Sequence, residues 1–111
     1  MSVEQDDVVD AVGVEKSSSK VILTISDHLD WSDTDAHLLI LQAKINGYLA
    51  FIEGGQILSA YPQSKGRKPV IEIVFKFQPS ADALTFLERV RAIVEPAEVE
   101  LRSRVSKAMD G

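Results

Sequence analysis

The chain has no cysteine. Disulfides, thiol nucleophiles and thiolate metal sites are excluded together. Positive charge is scarce as well: 12 Lys and Arg stand against 17 Asp and Glu, a net charge of -5. That balance argues against nucleic acid or an anionic membrane as a partner. No apolar run is long enough to cross a bilayer, because the best candidate, "HLLILQAKINGYLAFI", is interrupted by Gln42, Lys44 and Asn46. Residues 1–12, "MSVEQDDVVDAV", are acidic where a secretory leader carries basic residues, so a cytoplasmic location is expected. There is no repeat of solenoid period and no low-complexity tract. Three signatures of chemistry are missing too: a Gly-x-Ser-x-Gly elbow, a Gly-x-x-x-x-Gly-Lys-Ser/Thr phosphate loop and a His-Glu-x-x-His helix.

What is present is 111 residues, 45% apolar and 26% charged, the composition of one globular domain with a single core. Flexible ends are expected at residues 1–7 and 106–111, around a domain at 8–105. "VVDAVGVE" and "SSSKVILTIS" read as two strands joined by a turn-rich linker. In the second, Val21, Leu23 and Ile25 share one face. A helix is expected from Thr34 to Glu53, stopped by Gly54 and Gly55. Ile57 then falls in a connection, as an edge strand or a turn of helix. "VIEIVFKF" alternates, with Ile71, Ile73, Phe75 and Phe77 on one side. "PSADALTFLERVRAIVEP" is an amphipathic helix capped by Ser80 and stopped by Pro96, with Ala83, Leu84, Phe86, Leu87, Val90, Ile93 and Val94 turned inward. "VELRSRV" closes the domain as a half-exposed strand. The order ββαβαβ, with one polar face per strand, predicts an α+β two-layer sandwich. Its four-stranded, mostly antiparallel sheet would carry two helices on one face.

The runs "VILTISDHLDW", "LLILQAKINGYLAFIEGGQI", "YPQSKGRKPVIEIVFKF" and "ALTFLERV" together resemble a family of small single-domain bacterial proteins of unassigned function. The likeness extends from about Asp7 to Leu101. It implies one small bacterial domain and brings no activity or site residues with it.

"SDHLDWSDTDAH", Ser26 to His37, gathers four aspartates, both histidines and the only tryptophan. No register fits a calcium loop, which needs a glycine at its sixth position and a glutamate at its twelfth. A transition-metal set is possible on paper: Asp33 and His37 sit one helical turn apart, and His28 can fold back toward them. The ordinary reading assigns nearly every residue a structural task. Ser32 caps the helix with Asp35 reaching back, and Asp33 and Asp35 complement its positive end. Trp31 packs over the helix start, while Asp27 and Asp30 bond local backbone in turns. No metal and no cofactor is expected, and a metal-binding protein or enzyme using His28, His37 and the aspartates is the alternative.

"SKGRKP" places Lys65, Arg67 and Lys68 around Gly66, a candidate contact for an anion or acidic partner. Its plainer reading is a solvated loop whose charges guard the hydrophobic strand that follows. The first helix is the odd feature. Leu38, Leu41, Ile45, Leu49 and Ile52 form one apolar stripe at 100° per residue, and Ile40, Ala43, Gly47, Ala50 and Phe51 belong to a second, broad apolar arc. His37 and Lys44 occupy a narrow polar edge between them. A second apolar arc needs a second cover. The expected function is a non-catalytic interaction protein, a homodimer or a partner-binding module, that uses this arc.

Overall fold

The computed structural model describes Val3 and residues 9–106. The ends expected to be flexible lie, Val3 and Ser106 apart, outside the described residues. The chain runs β1 (Ala11–Val14), β2 (Val21–Asp27), α1 (Thr34–Glu53), α2 (Gln56–Ala60), β3 (Pro69–Phe75), α3 (Ala81–Val94) and β4 (Glu100–Val105). Short 3-10 turns at Pro62–Ser64 and Glu95–Ala97 precede β3 and β4. The fold is α+β, and α2 adds one short helix, carrying Ile57, to the expected elements. At the end of α1 the Gly54 N–H donates to Ala50 O, and Gly55 takes a φ of 78°. That left-handed conformation favours glycine and turns the chain out of the helix.

The sheet order is β1-β2-β3-β4, and only the β1–β2 hairpin is antiparallel. β2 pairs with β3 and β3 with β4 in parallel, which corrects the expected mostly antiparallel sheet. The reason is connectivity. A helix between two neighbouring strands carries the chain back to the edge where the first strand began, so the next strand must run the same way. Both crossovers step in one direction across the sheet, and equal handedness puts both helices on one face. α1 and α3 accordingly touch each other as well as the sheet.

On the covered face the register aligns Leu23, Ile71 and Leu101, and also Ile25 with Ile73. Each of these is 3% exposed or less. α3 starts as expected, with Ser80 Oγ accepting from Ala83 N–H at 3.2 Å, and it buries Ala83, Leu87 and Val94. Leu84 and Ile93, expected to point inward, are 48% and 72% exposed. Leu84 follows Ala83, and Ile93 precedes Val94, by a full 100° step, which takes both off the narrow contact line. Phe77 lies beyond β3 and is also exposed.

The open face owes its polar character to ion pairs. Lys20 meets Glu100 at 2.6 Å, Arg102 meets Glu15 at 3.2 Å, and Arg104 approaches Glu72 at 3.7 Å. Glu100 and Arg104 stand opposite Val70 and Val74, which are buried although no helix among the described residues covers them. A polar face therefore coexists here with parallel pairing. Among the described residues no helix is long and apolar enough to cross a membrane.

Candidate functional site

The acidic segment connects the carboxyl end of β2 to the first turn of α1. Asp30 Oδ1 accepts from the Ser32 N–H and hydroxyl, so it makes the turn expected of it. The cap falls one residue later than expected. Asp33 Oδ1 accepts from Ala36 N–H at 3.2 Å, whereas Ser32 was expected to cap. Either side chain can fill the role, and the hydroxyl of Ser32 is already committed to Asp30. Trp31 thus stands two residues before the cap and is half-buried. It stacks on His37 with ring centroids 3.6 Å apart and 16° between planes, and its indole N–H reaches Phe77 O at 3.4 Å.

His37 is the chemically interesting group, and it is fully engaged. Its Nδ1 lies 2.9 Å from Asp30 O and its Nε2 lies 2.6 Å from Asp27 Oδ2. A carbonyl only accepts, so Nδ1 carries a hydrogen. The proton in the short contact resides on Nε2 or on Asp27, and in both cases the Nε2 lone pair is spent. Burial pushes the Asp27 carboxyl above the ordinary aspartate range, and the hydrogen bond with His37 opposes that shift. The ring is 3% exposed and roofed by Trp31. It cannot act as a base or ligate a metal without giving up at least one of these contacts.

The three metal candidates consequently do different things. Asp33 caps α1, His37 pairs with Asp27, and His28 is exposed on the connecting loop. Among the described residues no group of three or more His, Cys, Asp or Glu side chains is placed to hold a metal ion. His28, Leu29, Asp33, Ile40 and Phe77 do border a groove of about 340 Å³ at this end of the sheet.

A second buried polar group carries no mark in the sequence. Lys44 Nζ, at 0% exposure, lies 2.9 Å from Asp10 Oδ1. Asp10 Oδ2 accepts from Ser26 N–H, and Asp10 N–H donates to the Tyr48 hydroxyl, which itself donates to Thr24 O. Burial pushes the Tyr48 hydroxyl above its ordinary value. The expected polar edge of His37 and Lys44 is therefore part of the buried stripe, with Leu41, Ile45 and Tyr48. The spacing 37, 41, 44, 48 was visible in the sequence; the acids that neutralise it, 10 and 34 residues away, were not marked as partners by any pattern.

The second arc of α1 remains partly open. Ile40, Ala43, Gly47 and Phe51 are half-buried, Ala50 is exposed, and the adjacent Leu39 is 68% exposed. At the opposite end of the sheet Lys65, Arg67 and Lys68 are all exposed on the loop before β3.

The family model DUF6572, a family of unknown function, matches residues 1–107 of the 111-residue chain, so the chain belongs to that family. No curated protein and no solved structure matches it.

Proposed function

We propose that this DUF6572 member is a non-catalytic interaction protein that self-associates through the outward arc of α1. One observation carries the reading: after α3 and the sheet have packed, Leu39 and Ala50 stay exposed and Ile40, Ala43, Gly47 and Phe51 are only half covered. An apolar arc on a long helix gains free energy when a further surface covers it. Ala43, Gly47 and Ala50 leave room for a second backbone to approach. Gly47 in a helix interior costs about 1 kcal/mol relative to alanine, and close packing would offset that cost. The saturated state of His37 supports the non-catalytic half of the reading.

Size-exclusion chromatography with light scattering tests it. A dimer is expected at concentrations on the order of tens of micromolar, and Leu39→Gln with Ala50→Gln should shift the population to monomer while the fold persists. A clean monomer of the unaltered chain would sink the reading.

A further inference from the structure

A second feature, independent of α1 pairing, lies where β2 and β3 begin. The loop before β3 turns through Gly66 at a φ of 76°. Arg67 follows, and its guanidinium is clamped by two backbone carbonyls: Nε donates to Gln63 O at 2.8 Å and Nη1 to Ser19 O at 3.0 Å. Both acceptors are neutral. No ion pair among the described residues includes Arg67, although the chain has 17 acidic side chains. The clamp fixes a cation in place and leaves its Nη2 without a partner among the described residues.

Arg67 borders two adjoining cavities. One is a slot of about 200 Å³ walled by Val21, Ile52, Ile57, Leu58 and Pro69, with the buried Ser64 in its lining. Among the described residues the Ser64 hydroxyl has no hydrogen-bond partner. The other is a cleft of about 600 Å³ to which Lys68, Glu53 and Glu98 contribute. Lys65 borders neither, which narrows the basic loop to two of its three cations.

We propose that the slot binds a short aliphatic monocarboxylate, its chain against Ile57, Leu58 and Pro69 and its carboxylate on Arg67. Each part of that ligand answers a feature of the site. The walls are aliphatic, with no aromatic ring among them. The slot is smaller than the roughly 300–1,000 Å³ of drug-sized pockets, so the body must be short. The Nη2 group left by the clamp offers a carboxylate oxygen a charge-assisted hydrogen bond. Glu53 and Glu98 at the neighbouring cleft oppose Arg67 and Lys68 there, and their repulsion weighs about twice as heavily on a dianion as on a monoanion.

Titration of the whole chain with hexanoate, followed by nuclear magnetic resonance shifts, tests the proposal. Hexanol serves as the neutral match and inorganic phosphate as the dianion. Hexanoate should give saturable shifts at Ile57, Leu58 and Arg67, with affinity at least about tenfold above either control. Arg67→Gln should remove that advantage, and Arg67→Lys should retain only part of it. Arg67 also ties Ser19 to Gln63, so its loss can loosen the loop. Leu58→Gln provides a second arm, because that side chain is 47% exposed and its replacement leaves the clamp intact; it should weaken hexanoate severalfold. Absence of saturable hexanoate shifts, equal affinity for hexanol, tighter binding of phosphate, or undiminished hexanoate binding in folded Arg67→Gln or in Leu58→Gln overturns the proposal.

Discussion

The inward side of α1 buries His37, Lys44 and Tyr48 at 3%, 0% and 1% exposure, while the outward side leaves Leu39 at 68%. On α3 the buried line is wholly apolar, Ala83, Leu87 and Val94, and the outer side carries Leu84 and Ile93 among its charged residues. The difference between the two sides of α1 shows that partners, and not polarity alone, decide what is buried. Asp27 receives His37 and Asp10 receives Lys44, so each polar side chain of the helix enters the interior beside an acidic partner. Desolvating such pairs is costly, and the paired state is stable only while both members remain. Leu39 has no comparable constraint on where it sits, because leaving one apolar side chain in water is tolerated.

The strongest way to break the contrast is to remove the inward cation. Lys44→Ala should destabilise the fold by about 3–5 kcal/mol, the range for losing one member of a buried pair, as read by urea unfolding. Lys44→Met combined with Asp10→Asn should cost much less than the sum of the two single changes, since no buried charge is then left behind. Additive costs would show that the pair is not a unit. Trp31→Ala should cost about 2 kcal/mol, below the ~3–5 kcal/mol of a fully buried aromatic, because the indole is only half-buried over His37. A thermal melt unchanged by that substitution would remove the indole from the account of how α1 is anchored.

Legibility follows the same division. β2, β3 and α3 could be placed from the sequence because the faces they turn to the core are mainly apolar at strand or helix spacing, and Ser80 is a cap with one clear reading. The inward stripe of α1 was misplaced because its polar members are rescued by residues outside the helix, and hydrophobic periodicity does not encode distant partners. Strand direction is hidden for a related reason: the Lys20, Arg102 and Arg104 ion pairs give a parallel sheet the polar face usual in antiparallel ones. The basic loop was visible as charge, but the carbonyl clamp on Arg67 depends on Ser19, 48 residues away. The Asp33 cap differs from the expected Ser32 by one position, within the ordinary competition of neighbouring Asx and Ser side chains.

Acid titration sharpens the inward half of the comparison. Burial raises the Asp27 carboxyl above the ordinary value of 3.8. As pH falls toward 3.8, the folded chain takes up that proton before the unfolded chain does. Asp27 therefore favours the fold fully below 3.8, and this contribution is lost as pH rises through the folded pKa. Glu15, Glu100 and Asp30 behave oppositely. Hydrogen bonds from Ser18, Lys20 and Ser32 respectively lead the lowering of their values, so they stabilise above the ordinary range and lose that effect in acid. Asp27→Asn keeps a side chain of the same shape beside His37 but removes the offset. Its melting temperature should fall more steeply than that of the unaltered chain between about pH 5 and pH 3. Parallel curves would show that Asp27 does not titrate differently in the folded state.

The smallest effect is expected on the outward side, at Leu39. Leucine and glutamine have nearly equal helix propensity, so Leu39→Gln changes little within the helix itself. The side chain is 68% exposed and belongs to no buried cluster. Its replacement should alter the stability of the monomer by no more than about 0.5 kcal/mol, the usual span for surface sites. The measurement must be made at dilution, because association would add a concentration-dependent contribution to the apparent stability. At higher concentration the two chains should separate, the unaltered one gaining melting temperature as it associates and the variant gaining less. A Leu39→Gln chain that loses several kcal/mol when dilute would mean that this leucine is packed within its own domain. The outward arc would then be core, and α1 would have no free side for a second copy.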